Sequence, residues 1–336
     1  MRPDQSRPRI FVTQPVAKSA LDRLRKVASV KVNPDASRII AKKALIAAVQ
    51  KCDILFCLLH DRIDRDVIAA NPNLMLLAAQ SISPSNIDVA AATAQRLPVT
   101  VVPPVTTEAT ADLTFGLMLA VARRMMEGDR LVRAGKFPGG QSSYLLGSFV
   151  WGKTIGLVGG GGLIGKAVAR RAHGFSMRVL YWTPRRKPER EEYEAGLTYV
   201  PLAQLLAESD FVSLHSPLTR ETRHQIGARE LRVMKKTAFL INTARGPIVD
   251  EAALLRALKA KRIAGAGLDV FEHEPKVDAA LRKMTNVVLT PHLGSATVEV
   301  REAMANIVVD NILALLAGQV PPNCVNPDVL KSDLRG

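Results

Sequence analysis

The run from Gly156 to Lys166, GLVGGGGLIGK, holds the residues whose types and spacing bear most directly on chemistry. Glycine loops between a strand and a helix present bare backbone N–H groups to phosphate, and the helix N-terminus adds the positive end of its dipole. Two phosphate-binding patterns compete for this loop. The triphosphate pattern G-x-x-x-x-G-K-[ST] finds its glycines and lysine between Gly160 and Lys166, but the next residue is Ala167. No hydroxyl stands there to bind magnesium. The dinucleotide pattern G-x-G-x-x-G fits as Gly160, Gly162 and Gly165, directly after the apolar run TIGLV and before KAVARRA. That pattern requires a strand–loop–helix setting. On this reading Gly160 makes the tight turn, Gly162 lets the backbone approach a pyrophosphate, and Gly165 packs helix on strand. Leu163 and Ile164 complete the loop around the dinucleotide.

The strand that follows refines the cofactor. An NAD site usually carries Asp or Glu about 20 residues after the loop, on the ribose hydroxyls. Here MRVLYW ends in Thr183-Pro184-Arg185-Arg186-Lys187, with no acid in reach along the chain. A carboxylate repels a 2′-phosphate, whereas a hydroxyl and guanidinium groups attract it. The sequence therefore predicts that Thr183, Arg185 and Arg186 receive NADP(H) in preference to NAD(H).

Compact apolar runs position these residues. RIFVT, CDILFCLL, LMLLAAQ and PVTVVPP read as strands before Pro104, alternating with helical spacing. After the glycine loop come DFVSLH, AFLINTA, GAGLDVF and VVLTPH, then an amphipathic helix in VREAMANIVVDNILALLAG. Strands alternating with helices imply α/β architecture with doubly wound parallel sheets covered on both faces. Pro103-Pro104 is a hinge candidate, followed by one long helical segment that Thr106 or Thr107 could cap, with Glu108 in its first turn.

Composition narrows the class. With 336 residues the chain has room for two domains of ordinary size. The formal charge of +15 would suit an anionic partner, but its basic runs are short, so we read it as cations scattered over solvated faces. The cysteines, Cys52, Cys57 and Cys324, are odd in number and lack metal-ligand spacing, which argues against a disulfide framework and structural zinc. MRPDQSRPRIFV turns polar too early for a signal peptide, and no apolar run is long enough to span a bilayer. A cytoplasmic protein is the expectation, with no membrane and no nucleic acid partner.

Three stretches carry a family resemblance: INTARGPIVDEAALLRAL (Ile241–Leu258), AGAGLDVFEHEP (Ala264–Pro275) and VVLTPHLGSAT (Val287–Thr297). They resemble the D-isomer-specific 2-hydroxyacid dehydrogenases, and GDRLVRAGKF, WGKTIG, SDFVSLHSPLT and MKKTAFLINTARG resemble its glyoxylate and hydroxypyruvate reductase branch. The resemblance implies two Rossmann-like domains with an active-site cleft between them. A discontinuous substrate-binding domain would comprise 1–104 and 292–336, and an NAD(P)-binding domain 105–291. It assigns Arg245 to the carboxylate and ketone of a small 2-oxo or 2-hydroxy acid, a task suited to a guanidinium fork. It makes His292 the acid/base, since an imidazole titrates near working pH, and Glu274 the carboxylate that orients it. Glu272 is read as a solvated neighbour. Asp269 and Thr110 fall at positions near the nicotinamide, and His215, Pro217, Thr243 and Ala244 line the cofactor. Formate dehydrogenases carry glutamine where Glu274 stands, so this glutamate points to ketone chemistry. The resemblance also implies a homodimer, and no metal site is expected from the residues. Two alternatives stay open: a related dehydrogenase with a different or more polar substrate, and a dinucleotide-sensing protein like the corepressors built on this fold.

The chain departs from the family pattern twice. Where members read V-G-Y-D-N-I-D, this sequence has SISPSNID, which places Ile82 and Ser83 at the carboxylate-binding backbone pair, with Pro84 behind them. Serine accepts positive φ poorly, and a residue before proline is pushed towards extended conformations, so the substrate pocket is expected to be reshaped. The glycine loop also has one residue more than the family's T-I-G-x-x-G-x-G-x-I-G. A one-residue bulge around Gly159–Gly161 is expected to absorb it.

Overall fold

A computed structural model describes residues 7–330. The first six residues, on which the signal-peptide reading partly rests, lie outside the described residues. The chain divides into two compact units, Met1–Val105 with Thr297–Gly336, and Thr106–Ala296. In chain order the elements are β1 (Arg9–Val12), α1 (Lys18–Val27), β2 (Ser29–Val32), α2 (Lys42–Val49), β3 (Ile54–Leu58), α3 (Arg65–Ala69), β4 (Leu76–Gln80), α4 (Val89–Ala94) and β5 (Val99–Thr100). The second unit holds α5 (Thr107–Ala122), α6 (Met125–Arg133), β6 (Thr154–Val158), α7 (Leu163–Gly174), β7 (Arg178–Trp182), α8 (Glu189–Ala195), β8 (Thr198–Tyr199), α9 (Leu202–Glu208), β9 (Phe211–Leu214), α10 (Ala228–Val233), β10 (Phe239–Asn242), α11 (Glu251–Lys259), β11 (Gly265–Leu268) and β12 (Val287–Leu289). Helix α12 (Val298–Leu316) returns to the first unit.

Both units are α/β, each built on a wholly parallel sheet, as the apolar runs imply. The first unit's sheet runs β2-β1-β3-β4-β5. Ile10, Val12, Ile54 and Phe56 face one core, which α1 and α12 cover, while Phe11, Leu55, Cys57 and Leu77 face another. Alternate residues buried on opposite faces explain why these strands read as unbroken apolar runs.

The second unit's sheet runs β12-β11-β10-β9-β6-β7-β8. From β6 the chain winds outward through β7 and β8, then returns to β9 on the other flank of β6. The switch point therefore falls between β6 and β9, at the strand ends that carry the glycine loop and His215, where doubly wound sheets bind ligands.

The structure differs locally from the sequence reading at three points. The long helix expected after Pro104 is two helices, because Arg124 takes a left-handed backbone (φ 54°) between them and clasps Glu127 at 2.9 Å. Helix α5 is embedded in the core, whereas none of the residues of α6 is buried. Thr106 occupies the N-cap position of α5 without making the side-chain cap. The unit boundary falls after Ala296 rather than before His292, so His292 belongs with Arg245 and Glu274. No helix among the described residues is long and apolar enough to cross a membrane.

Candidate active site

Strand β10 ends in a turn locked by Asn242. Its side chain donates to the Arg245 carbonyl at 3.0 Å and accepts from the Ala244 amide at 3.0 Å. The turn holds Arg245 in an extended conformation, and its Nη1 donates to the Ala244 carbonyl at 2.7 Å. Gly246 is required next: a Cβ there would lie 1.9 Å from the Phe271 carbonyl oxygen. That close approach sets Arg245 beside the segment carrying Glu274. Burial lowers the Arg245 pKa and the Glu274 charge raises it; a guanidinium so placed stays cationic.

Glu274 is held at both oxygens. Oε1 accepts from the Phe271 amide at 2.9 Å, and Oε2 lies 2.9 Å from His292 Nδ1. His292 has a left-handed backbone (φ 57°), which a non-glycine residue adopts only under surrounding constraint. Asp269 supplies the constraint. Its Oδ1 accepts from Thr290 Oγ1 at 2.6 Å and the Leu293 amide at 2.7 Å, its Oδ2 from the Gly294 amide at 2.9 Å, and its carbonyl from the His292 amide at 2.9 Å. Burial pushes the Asp269 carboxyl up, and these donors hold it down. Asp269 thus fixes the His292 loop. Thr110 Oγ1 reaches the Gly294 carbonyl at 3.0 Å, and Thr114 Oγ1 lies 2.8 Å from Thr243 Oγ1. Sequence reasoning missed Thr114, Asn242 and Thr290. Thr114 alone left a signal, one helical turn after Thr110 on the same face.

At the glycine loop the structure revises the assignments. The left-handed glycine is Gly159 (φ 82°), not Gly160, and a Cβ there would lie 2.5 Å from the Ser216 amide nitrogen. Gly160 is required by crowding instead, since its Cβ would meet the Cβ of Leu157 at 2.6 Å. Gly165 backs onto Gly160, with its Cβ position 2.4 Å from the Gly160 carbonyl oxygen. Strand β6 keeps regular pairing through Val158. Two successive turns, Gly160 amide to Leu157 carbonyl and Gly162 amide to Gly159 carbonyl, take up the extra residue after the strand. Gly162 caps α7, and a Cβ on it would meet nothing nearer than 3.5 Å. Leu163 and Ile164 form the first turn of that helix. A bare, close-packed backbone leading into a helix N-terminus fits the pyrophosphate of a dinucleotide. Beside it, His215 donates its amide to Val158 at 2.7 Å, and its Nε2 lies 2.9 Å from Ser213 Oγ. Burial pushes the His215 pKa down to about 4. Pro217 is exposed just beyond.

Comparison with known proteins agrees with this geometry. Residues 115–294 match the family model described as "D-isomer specific 2-hydroxyacid dehydrogenase, NAD binding domain". The chain belongs to the D-isomer-specific 2-hydroxyacid dehydrogenases. It is 48% identical over 327 residues to a glyoxylate reductase of Korarchaeum cryptofilum, spanning 97% of this chain and 98% of that one. It is 45% identical over 330 residues to a glyoxylate reductase of Thermococcus litoralis, spanning 97% and 99%. The structure of an NADPH-dependent glyoxylate/hydroxypyruvate reductase from Sinorhizobium meliloti, in complex with NADP and malonate, superposes with a TM-score of 0.76 at 33% identity, covering 96% of this chain and 98% of that one.

In this dehydrogenase the corner after β7 differs from the sequence reading. Thr183 Oγ1 donates to the Arg185 carbonyl at 2.7 Å. Arg186 is committed to an acid that lies further along the chain: its guanidinium donates to both oxygens of Glu192, at 2.8 and 2.7 Å, because α8 folds back beside β7. Tyr181 Oη donates to the same carboxylate at 2.7 Å. Arg185 remains exposed, with no side-chain partner among the described residues. The Lys187 side chain lies over Gly161, close enough to meet a Cβ there at 2.9 Å. Glu272 is not solvated. Its side chain is 10% exposed, accepts from the Glu251 amide at 3.2 Å, and lies 2.6 Å from His224 Nε2. In the first unit neither Ile82 nor Ser83 takes positive φ. Ile82 packs on the core, and Ser81 Oγ donates to the Ser83 carbonyl at 2.8 Å.

Proposed function

We propose that this dehydrogenase reduces short 2-oxo acids, glyoxylate first and hydroxypyruvate second, with NADPH preferred over NADH. The observation that carries the reading is the Glu274–His292 pair at 2.9 Å, in the same unit as Arg245 and the glycine loop. The residues that would hold the cofactor are Gly160, Gly162, Leu163 and Ile164 at the pyrophosphate, Thr183 and Arg185 at the 2′-phosphate, and His215, Pro217, Thr243 and Ala244 along its length. When bound, the reduced nicotinamide supplies a hydride to the carbonyl carbon. Arg245 grips the substrate carboxylate and polarises the ketone. With Nδ1 turned to Glu274, His292 gives its proton from Nε2 to the carbonyl oxygen, and Glu274 stabilises the cation that precedes transfer. Asp269 and Thr110 keep the His292 loop in place. Arg186, bound to Glu192, acts on the corner's shape.

The names of the relatives support the substrate class, and the NADP complex of the Sinorhizobium meliloti enzyme supports the cofactor. Steady-state rates for glyoxylate, hydroxypyruvate and pyruvate, each with NADPH and NADH, test both points. Turnover favouring glyoxylate with NADPH is expected. A clear preference for NADH would remove the role given to Thr183 and Arg185. A lack of turnover with every acid would leave the dinucleotide-sensing reading in its place.

We also propose a homodimer. Phe137, Leu146, Phe149 and Trp151 are 66%, 66%, 65% and 58% exposed in the segment that follows α6, a concentration of large apolar side chains that marks an interaction surface. Light scattering at the monomer mass would overturn this.

A further inference from the structure

The charge of +15 is less scattered than the sequence suggests. Three strands of the second unit, β10, β11 and β12, each begin a few residues after a doublet of cations: Lys235-Lys236, Lys261-Arg262 and Arg282-Lys283. Along the chain these doublets are short runs far apart. In the sheet they are neighbours, since β10, β11 and β12 are adjacent and parallel, with about 4.8 Å between strands. Lys235 pairs with Asp210 at 2.9 Å, and Arg262 donates to the Arg232 carbonyl. The other four, Lys236, Lys261, Arg282 and Lys283, are exposed and make no ion pair among the described residues. Helices α10 and α11 add Arg232, Arg256 and Lys259 in their last turns, while their acids, Glu230 and Glu251, sit in their first turns. Helix dipoles account for the cations at the helix ends. They do not account for Lys236 and Lys261, which lie beyond those helices.

We propose that this face, at the strand starts and away from the strand ends bearing Arg245 and Asp269, docks the phosphate backbone of a nucleic acid duplex. Unpaired cations spread over adjacent strands and helix ends match a surface of closely spaced phosphates, and the arginines among them can grip phosphate bidentately. The large exposed apolar side chain on these elements is Val233, at 38%. Phe239, at the start of β10, is buried against Phe211 and not available to stack on an unpaired base, and the described residues of these elements present no apolar row to enter a bilayer, so a duplex fits better than a single strand or a membrane. The proposal is independent of the reductase reading.

The test is fluorescence anisotropy of a labelled random-sequence DNA duplex against the full-length protein over a salt series. Binding that weakens steeply with salt is expected. Combining Lys236→Glu, Lys261→Glu and Arg282→Glu should lower affinity by about tenfold or more and flatten the log–log salt slope by about 2–3, with reductase activity and Tm unchanged. The control reverses Lys31, Lys43 and Lys51, exposed cations of the first unit, for the same change in net charge. An equal loss in the control would mean that net charge alone attracts DNA, and would overturn the proposal. So would no binding at low salt, or tighter capture by phosphatidylserine vesicles than by the duplex.

Discussion

His292 Nδ1 and Glu274 Oε2 lie 2.9 Å apart, and the second oxygen of that carboxylate is tied to the Phe271 amide at 2.9 Å. The carboxylate therefore cannot swing away from the ring without giving up a backbone hydrogen bond. Glu274→Gln preserves the shape and removes the charge that stabilises a protonated imidazole. We expect kcat for glyoxylate reduction to fall by about 10²-fold, with the NADPH dissociation constant and Tm little changed. A kcat within a few-fold of the parent would show that Glu274 plays no part in proton transfer.

The corner after β7 separates two arginines that the sequence treats alike. Arg185 is exposed, whereas Arg186 is clamped on Glu192 and its guanidinium lies 5.8 Å from the centre of the Tyr199 ring. Arg185→Ala should weaken NADPH by about 1.5–3 kcal/mol, the worth of a hydrogen bond to a charged group, and leave NADH nearly untouched. Arg186→Ala should shift the NADPH/NADH ratio far less and lower the Tm only slightly, since that guanidinium is half exposed and screened by solvent. Equal effects of the two substitutions on the cofactor ratio would refute the distinction.

Glycines in the loop are required for different reasons, which substitution can resolve. At Gly165 an added methyl would press on the Gly160 backbone at 2.4 Å, so Gly165→Ala should lower stability by about 3 kcal/mol or more. At Gly162 φ is −83° and the Cβ position is open, so Gly162→Ala should fold normally. On the proposed placement of the cofactor its methyl would crowd the pyrophosphate and weaken NADPH by about tenfold, or 1.4 kcal/mol. Thermal melts and cofactor titrations of the two variants check this. A Gly162→Ala protein with unimpaired NADPH binding would place the pyrophosphate elsewhere.

Fold class and family were legible because they rest on local patterns. Buried parallel strands read as apolar runs, and TIGLV with its glycines is nearly a complete strand–loop–helix. What escaped depends on which segments meet in space. The pairing of Arg186 with Glu192 requires α8 to fold back on β7, and the burial of Glu272 requires His224 and the start of α11 beside it. The left-handed glycine at Gly159 follows from how closely His215 and Ser216 approach. The hold of Asp269 on the His292 loop escaped as well, because its place in AGAGLDVF gives no hint of the three donors that the 290–294 loop turns toward it. The cation doublets before β10, β11 and β12 became one surface only when the strand order was known.

Half-buried His215 gives the cofactor unit a predictable acid sensitivity. Its pKa is lowered from 6.5 to about 4 by burial. Above the unfolded value both states are neutral at this residue. As pH falls below about 6.5 the unfolded chain takes up a proton that the folded chain refuses until about pH 4, so stability declines across that window and levels off beneath it, by up to about 3 kcal/mol. His215→Gln keeps a partner for Ser213 and removes the titration. Urea midpoints at neutral pH and near pH 4.5 should therefore separate less in the variant than in the parent, even though carboxylates common to both also begin to titrate. Identical acid losses in the two proteins would mean that the imidazole titrates alike in the folded and unfolded chains, and that its place beside the glycine loop does not keep it neutral in mild acid.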